Sequence, residues 1–251
     1  GVFMFIAIPF SMYHQEAAQM GILNAGIITI FLGLLLYFFN KPTTTTIHKK
    51  EGYLIVTLGW LTLSFTGMLP YLFTGTIPSL TNAFFETLSG YSTTGSSILT
   101  DIESMPKGIL FWRSATHWIG GMGIIVLAVA VLPLLGVGGM ELYHAESSGI
   151  AKDRLTPKLR NTAIALWKIY LSLTVMCALG YFLSGMTIFD AVSHSFSTVA
   201  IGGFSTHDAS IGYFNSISIE MIAVFFMFLA GINFSLHIWR KHVLVTTLKF
   251  G

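Results

Sequence analysis

At 251 residues the chain is long enough for one or two domains, yet only 10% of it is charged against 53% apolar, and its mean hydropathy is +0.73. A soluble domain carries about 25% charged residues, so this composition excludes an ordinary water-soluble protein. The formal net charge of +2 carries little information by itself; no nucleic-acid partner is expected, and the placement of the charges matters more than their sum.

Residues 1–13 are apolar but short, and no basic stretch precedes them, so they do not read as a signal peptide. The opening at Gly1 is expected to be the edge of a longer natural chain. Residues 20–39, 52–74, 114–140, 169–189 and 221–239 are free of Asp, Glu, Lys and Arg and reach the roughly 20 residues that a spanning helix requires. With the short first run they give six candidate spans. The runs lack the alternation of barrel strands, and helices satisfy their own backbone groups in lipid. The single cysteine, Cys177, permits no intrachain disulfide.

Charge sets the orientation. Lys41, Lys49 and Lys50, then Lys152, Arg154, Lys158 and Arg160, then Arg240, Lys241 and Lys249 follow alternate spans and hold ten of the 13 basic residues. The bias of basic residues toward the cytoplasm places all three clusters inside. Lys107 and Arg113 fall on the outer side, Arg113 at the start of a helix.

Two weakly charged segments, 75–100 and 190–219, are broken by Gly, Pro, Ser and Thr and do not read as spans. Each opens with a short helical stretch, 80–90 and 188–198, and passes into a run of small residues. Both are expected to dip into the membrane from outside and return, because irregular backbone at that depth needs cover from protein or a watery cavity. A shift of 108 positions superposes them: Ala83 meets Ala191, Ser89 meets Ser197, Gly95 meets Gly203, Ser97 meets Ser205 and Gly123 meets Gly231. The predicted fold class is all-α integral membrane, with parallel repeats of helix–re-entrant pore loop–helix in the manner of a potassium channel. Parallel repeats relate by an axis along the membrane normal and surround a central pore. The expected divisions are N-terminal helices over 1–50, a first repeat over 51–140, a cytoplasmic linker over 141–160 and a second repeat over 161–251.

Such loops suit a cation. Main-chain carbonyls can replace the water that an ion sheds. A central glycine, Gly95 or Gly203, lets the backbone aim several of them inward. The short helix before each loop turns its negative end toward the pore, and Thr93 and Thr94 add hydroxyl oxygens. Set alone, a Ser/Thr/Gly cluster between apolar runs is an ordinary turn; its second copy strengthens the filter reading.

The segments AFFETLSGYSTTGSS, FWRSATHWIGGMGIIVLAVAVLPLLGVGGMELYHAE and AVSHSFSTVAIGGFSTHDASIGYF resemble the membrane subunits of bacterial Trk potassium uptake systems, and with them the Trk/Ktr/HKT superfamily, over about residues 20 to 240. The resemblance implies potassium uptake in a bacterial inner membrane through four helix–pore loop–helix units in one chain. Potassium is then the transported ion, and no organic cofactor belongs to this chain. It makes Gly95 and Gly203 the first two filter glycines, with Ser92, Thr93, Thr94, Gly95, Ala200, Ile201, Gly202 and Gly203 supplying carbonyls. It also implies a homodimer on a cytoplasmic, nucleotide-binding ring of TrkA-like regulatory subunits. Only two of the four units are present, so the chain reads as an N-terminal half. The family's gating features, an intramembrane loop and a pore-blocking arginine, belong to the later units, and Arg113 is not that arginine. Sodium-conducting plant members often have Ser at the first filter glycine, so Gly95 favours potassium over a sodium-permeable or sodium- or proton-coupled pore.

Glu86 and His194 occupy equivalent places on the two pore helices and are candidates for tuning ion affinity; buried hydrogen bonds anchoring those helices are the plainer reading. An intramembrane enzyme would use Glu86, His194 or His117 as its acid–base group, but the polar residues lie in matching repeats. His117 otherwise reads as a packing residue and Asp190 as a helix N-terminal charge. His207 and Asp208 line an outer vestibule or a solvated turn. The eight histidines form no i, i+4 pair, so no metal site is expected apart from potassium at the filter. Gly120, Gly121, Gly123 and Gly136, Gly138, Gly139 lack the setting of a nucleotide site and read as close helix contacts. The basic stretch 150–160 suits a regulatory partner or anionic membrane lipid.

Overall fold

The structure is a computed structural model that describes residues 1–39, 49–131 and 152–232. Among these residues there is no strand, only helices and turns. The basic residues Lys41, Arg240, Lys241 and Lys249, the glycines 136–139 and most of the 141–160 linker lie outside the described residues.

A turn of 3₁₀ helix, Val2–Ala7, runs into α1, Ile8–Tyr13. Helix α2 spans Ala18–Phe39. The run expected at 52–74 is two helices, α3 over Lys49–Gly67 and α4 over Leu69–Thr74. Pro70, in the first turn of α4, has no N–H to continue the helix before it, so the chain breaks at Met68. Helix α5 covers Leu80–Tyr91, and α6 covers Lys107–Val131. Helix α7 runs unbroken through Lys152–Leu183, so the expected division at 161 falls inside it. Helix α8 covers Ile188–Val199, a 3₁₀ turn covers Ser210–Phe214, and α9 covers Ile217–Gly231.

Helix α6 begins seven residues earlier than the expected span at 114. Its first main-chain N–H groups lack a local cap and are taken by a distant carboxylate: Glu16 accepts from the N–H of Lys107 (2.6 Å) and of Gly108 (3.2 Å). Arg113 therefore lies inside the helix rather than at its outer start.

Polarity is arranged for a membrane. Among the described residues, Ala18–Phe39, Leu54–Thr74 and Ala163–Leu183 are long and apolar enough to cross one. Leu171, Val175, Leu179 and Phe182 on α7, and Ile217, Met221, Val224 and Phe228 on α9, form exposed apolar stripes at helical spacing. The interior holds Glu86, Arg113, His117, His194 and a series of serines and threonines. A soluble fold would reverse this distribution.

Helix α6 is the shared wall. Phe111, Trp112 and Ala115 pack with the N-terminal helices, α4 and α5, while Trp118 and Met122 pack with α7, α8 and α9. Both short helices thus lean on it, α5 on one side and α8 on the other.

Candidate functional site

The short helices α5 and α8 are copies in detail. Leu80 and Ile188 start them and Tyr91 and Val199 end them, an offset of 108 at both ends. Each begins on a hydroxyl cap. Ser79 accepts from the N–H of Asn82 (3.5 Å), and Thr187 accepts from that of Asp190 (3.1 Å). The Thr187 hydroxyl also donates to the Asp190 carboxylate at 2.7 Å.

The turns after them match as well. The N–H of Thr93 donates to Gly90 (3.0 Å) and that of Ile201 to Thr198 (3.1 Å). The N–H of Thr94 donates to Ser89 (3.0 Å) and that of Gly202 to Ser197 (2.9 Å). Thr93 (φ 54°) and Ile201 (φ 56°) take left-handed backbone, as do Gly95 (φ 75°) and Gly203 (φ 91°). Left-handed backbone disfavours a β-branched residue, yet both copies carry one at the same place.

These turns meet. A Cβ placed on Gly95 would overlap the carbonyl oxygen of Gly202 and lie 3.7 Å from the Cα of Gly203. Among the described residues, no hydrogen-bond donor reaches the carbonyls of 92–95 or 200–203. Carbonyls without a donor among the described residues, here as in the stretch 97–100 that follows the first turn, leave oxygen free for a ligand.

Behind each turn sits a serine that both gives and takes a hydrogen bond. Ser97 donates to Glu86 Oε1 (2.9 Å) and accepts from the N–H of Leu99 (3.1 Å). Ser205 meets His194 Nε2 (2.9 Å) and accepts from the N–H of His207 (3.0 Å). His194 Nδ1 lies 2.8 Å from the Asp190 carbonyl, which only accepts, so Nδ1 carries the proton and Nε2 accepts from Ser205. Glu86 and His194, different in charge, are both acceptors for an equivalent serine. Glu86 also takes the N–H of Ile98 (3.0 Å) and pairs with Arg113 Nε at 2.7 Å, with both side chains buried.

Sequence reasoning missed Arg113, whose Nη1 donates to the Ser205 carbonyl at 2.9 Å. The available signal was a lone arginine in an apolar run opposite a lone acid on the first short helix. The outer residues also do more than face solvent. His207 is buried, stacked on Tyr213 (3.5 Å between ring centres) and 3.4 Å from the Asp190 carboxylate. Asp208 is exposed and accepts from the N–H of Ile102 at 2.8 Å, joining the two loops. His117 is buried in packing. Gly120 brings α6 against the backbone of Tyr91, where a Cβ has no room, and Gly121 brings it close to Ala200 and the Tyr170 hydroxyl.

Two copies of helix, short helix, paired turn and helix, polar within and apolar without, define an all-helical integral membrane protein. A model of the TrkH family, described as a cation transport protein, matches residues 18–245. The chain belongs to this family, which sets the enzyme reading aside. It is 48% identical over 229 residues to the Trk system potassium uptake protein TrkH of Vibrio parahaemolyticus, covering 90% of this chain and 47% of the relative. Identity to TrkH of Halomonas elongata is 51% over 218 residues (85% and 45%), and to TrkG of Escherichia coli K12 39% over 242 residues (95% and 49%). The crystal structure of the potassium transporter TrkH from Vibrio parahaemolyticus matches with a TM-score of 0.83 at 44% identity, over 94% of this chain and 47% of that one. The chain spans about half the length of the curated relatives it matches.

Proposed function

We propose that this chain supplies two of the walls of a potassium uptake pathway in a bacterial inner membrane, with the carbonyls of Ser92, Thr93, Thr94, Gly95, Ala200, Ile201, Gly202 and Gly203 replacing the ion's water. One observation carries the reading: two turns of the same backbone shape meet at Gly95 and Gly202 with their carbonyls unclaimed by donors among the described residues. Rings of such oxygens hold dehydrated potassium. The C-terminal ends of α5 and α8 feed directly into the turns and favour a cation there. The relatives' description as potassium uptake proteins supports potassium as the ion. Glycine at 95, rather than serine, fits the same choice.

Glu86 and His194 tune this pathway from behind, as acceptors that fix Ser97 and Ser205. Two further repeats complete the ring. The relatives are named as parts of a Trk system, in keeping with a homodimer seated on a cytoplasmic nucleotide-binding subunit. The test is growth at low potassium of cells lacking other uptake systems, using the native protein that carries this chain. Gly203→Arg is expected to abolish rescue, and Gly95→Ser to lower potassium preference over sodium. Unchanged growth and unchanged ion preference in both would remove the filter assignment.

A further inference from the structure

The second turn is held by α8 of its own repeat and also by a helix of the first. Arg113, 2% exposed, donates from Nε to Glu86 and from Nη1 to the carbonyl of Ser205. Its guanidinium carbon lies 3.7 Å from the centre of the Phe204 ring. One helical turn further along α6, His117 stacks on the same ring, with centres 4.0 Å apart and planes 17° from parallel. Two flat groups this close to one ring centre cannot share a face, so Phe204 is clamped between them. The His117 ring also rests on the main chain of Gly202, where a Cβ would strike it, and its Nδ1 lies 3.3 Å from the hydroxyl of Ser197.

Residues 202, 204 and 205 are therefore each fixed by α6. Gly203 lies between them at φ 91°, and nothing stands within 4 Å of where its Cβ would be. Nothing packs where its side chain would be, so its position follows from its neighbours and from Gly95, which abuts the carbonyl of Gly202. At the other end, Arg113 is fastened to Glu86, which also holds the hydroxyl of Ser97 and the N–H of Ile98 beyond the first turn.

We infer that Arg113 is a positioning residue: with Glu86 and Phe204 it straps the first turn to the second and sets the spacing of their carbonyls, and through it the ion preference. This rests on the filter reading proposed above. Lysine cannot replace it, because one ammonium neither forks to Glu86 and Ser205 together nor lies flat on Phe204.

The experiment uses the native protein in proteoliposomes and reads the ratio of potassium to sodium uptake, with thermal stability measured alongside. Arg113→Lys keeps the charge and loses the fork. Phe204→Leu keeps the ion pair and loses the clamp, and it decides the matter alone if Arg113→Lys does not accumulate. Each is expected to lower the ratio roughly tenfold, the change that about 1.4 kcal/mol makes in a ratio of affinities. The double variant is expected to be no worse than the single ones, since both act through one strap. A ratio held at the wild-type value in Phe204→Leu, whatever happens to stability, overturns the inference and leaves the strap as a fold anchor. Gly95→Ser run in parallel separates the two failures. If it shifts the ratio while Phe204→Leu does not, the strap alone is wrong; if neither shifts it, the filter reading falls as well.

Discussion

The two turns share a backbone and differ in nearly everything attached to it. The first is open and hydroxyl-rich: Ser92 and Thr94 are exposed and hydrogen-bond each other at 2.7 Å. The second is more enclosed, with Gly202 and residues 204–207 buried, although Gly203 and Ile201, which stands where the first has threonine, are exposed. The first is held from behind by a carboxylate within an ion pair, the second by a histidine between a carbonyl and a hydroxyl. What the two copies keep in common is thus the path of the main chain, down to matched hydrogen bonds and matched left-handed residues. Side-chain chemistry is exchangeable provided an acceptor stands where Ser97 or Ser205 needs one.

The strongest way to break that equivalence is to remove each anchor. Glu86→Ala strands the Arg113 charge in a buried site and frees Ser97 and Ile98, and is expected to cost roughly 3–5 kcal/mol. His194→Ala leaves the buried Ser205 hydroxyl without its acceptor, a loss of roughly 1–3 kcal/mol. Thermal unfolding of the purified protein in detergent measures both. Equal losses would mean that the ion pair adds nothing beyond its role as an acceptor.

A smaller effect probes the packing behind the second turn. Gly202→Ala drives a methyl into the His117 ring. The expected cost is roughly 1–3 kcal/mol, the range for overpacking a filled site. Made in a His117→Ala background, the same change has room and should recover most of that cost relative to His117→Ala alone in the same unfolding assay. Failure to recover would place the strain of Gly202→Ala in the backbone instead of against the ring.

How far the sequence reached depends on whether a feature is local. The bounds expected for the short helices, 80–90 and 188–198, fall within one residue of Leu80–Tyr91 and Ile188–Val199, because Ser79 and Thr187 cap them from the adjacent position. The glycines proposed for the filter were visible because their neighbours repeat. The start of α6 was not, because its cap comes from Glu16, 91 residues before Lys107. Arg113 in turn stood at an expected helix start only because its own charge bounds the uncharged run 114–140. Phe204 was equally unreadable, since an aromatic in an apolar protein carries no mark of the two α6 side chains that enclose it. Long-range pairings of this kind need the fold before they can be seen, whereas capping and repetition do not.

The smallest effect is the one that tests the shared backbone most directly. Ile201 and Thr93 both hold left-handed backbone, at φ 56° and 54°, and an L residue with a branched Cβ loses roughly 1–2 kcal/mol there. Asparagine tolerates that region better. Ile201→Asn and Thr93→Asn should therefore each raise stability by about 1 kcal/mol or somewhat less, and by similar amounts, if the strain belongs to the main chain. Ile201 is 49% exposed, so little burial is lost when its side chain is replaced. Unfolding midpoints of the two variants give the comparison. A gain at Thr93 with a loss at Ile201 would show that the apolar surface of Ile201 contributes more than its backbone costs, and the two turns would then be alike in shape but not in energy.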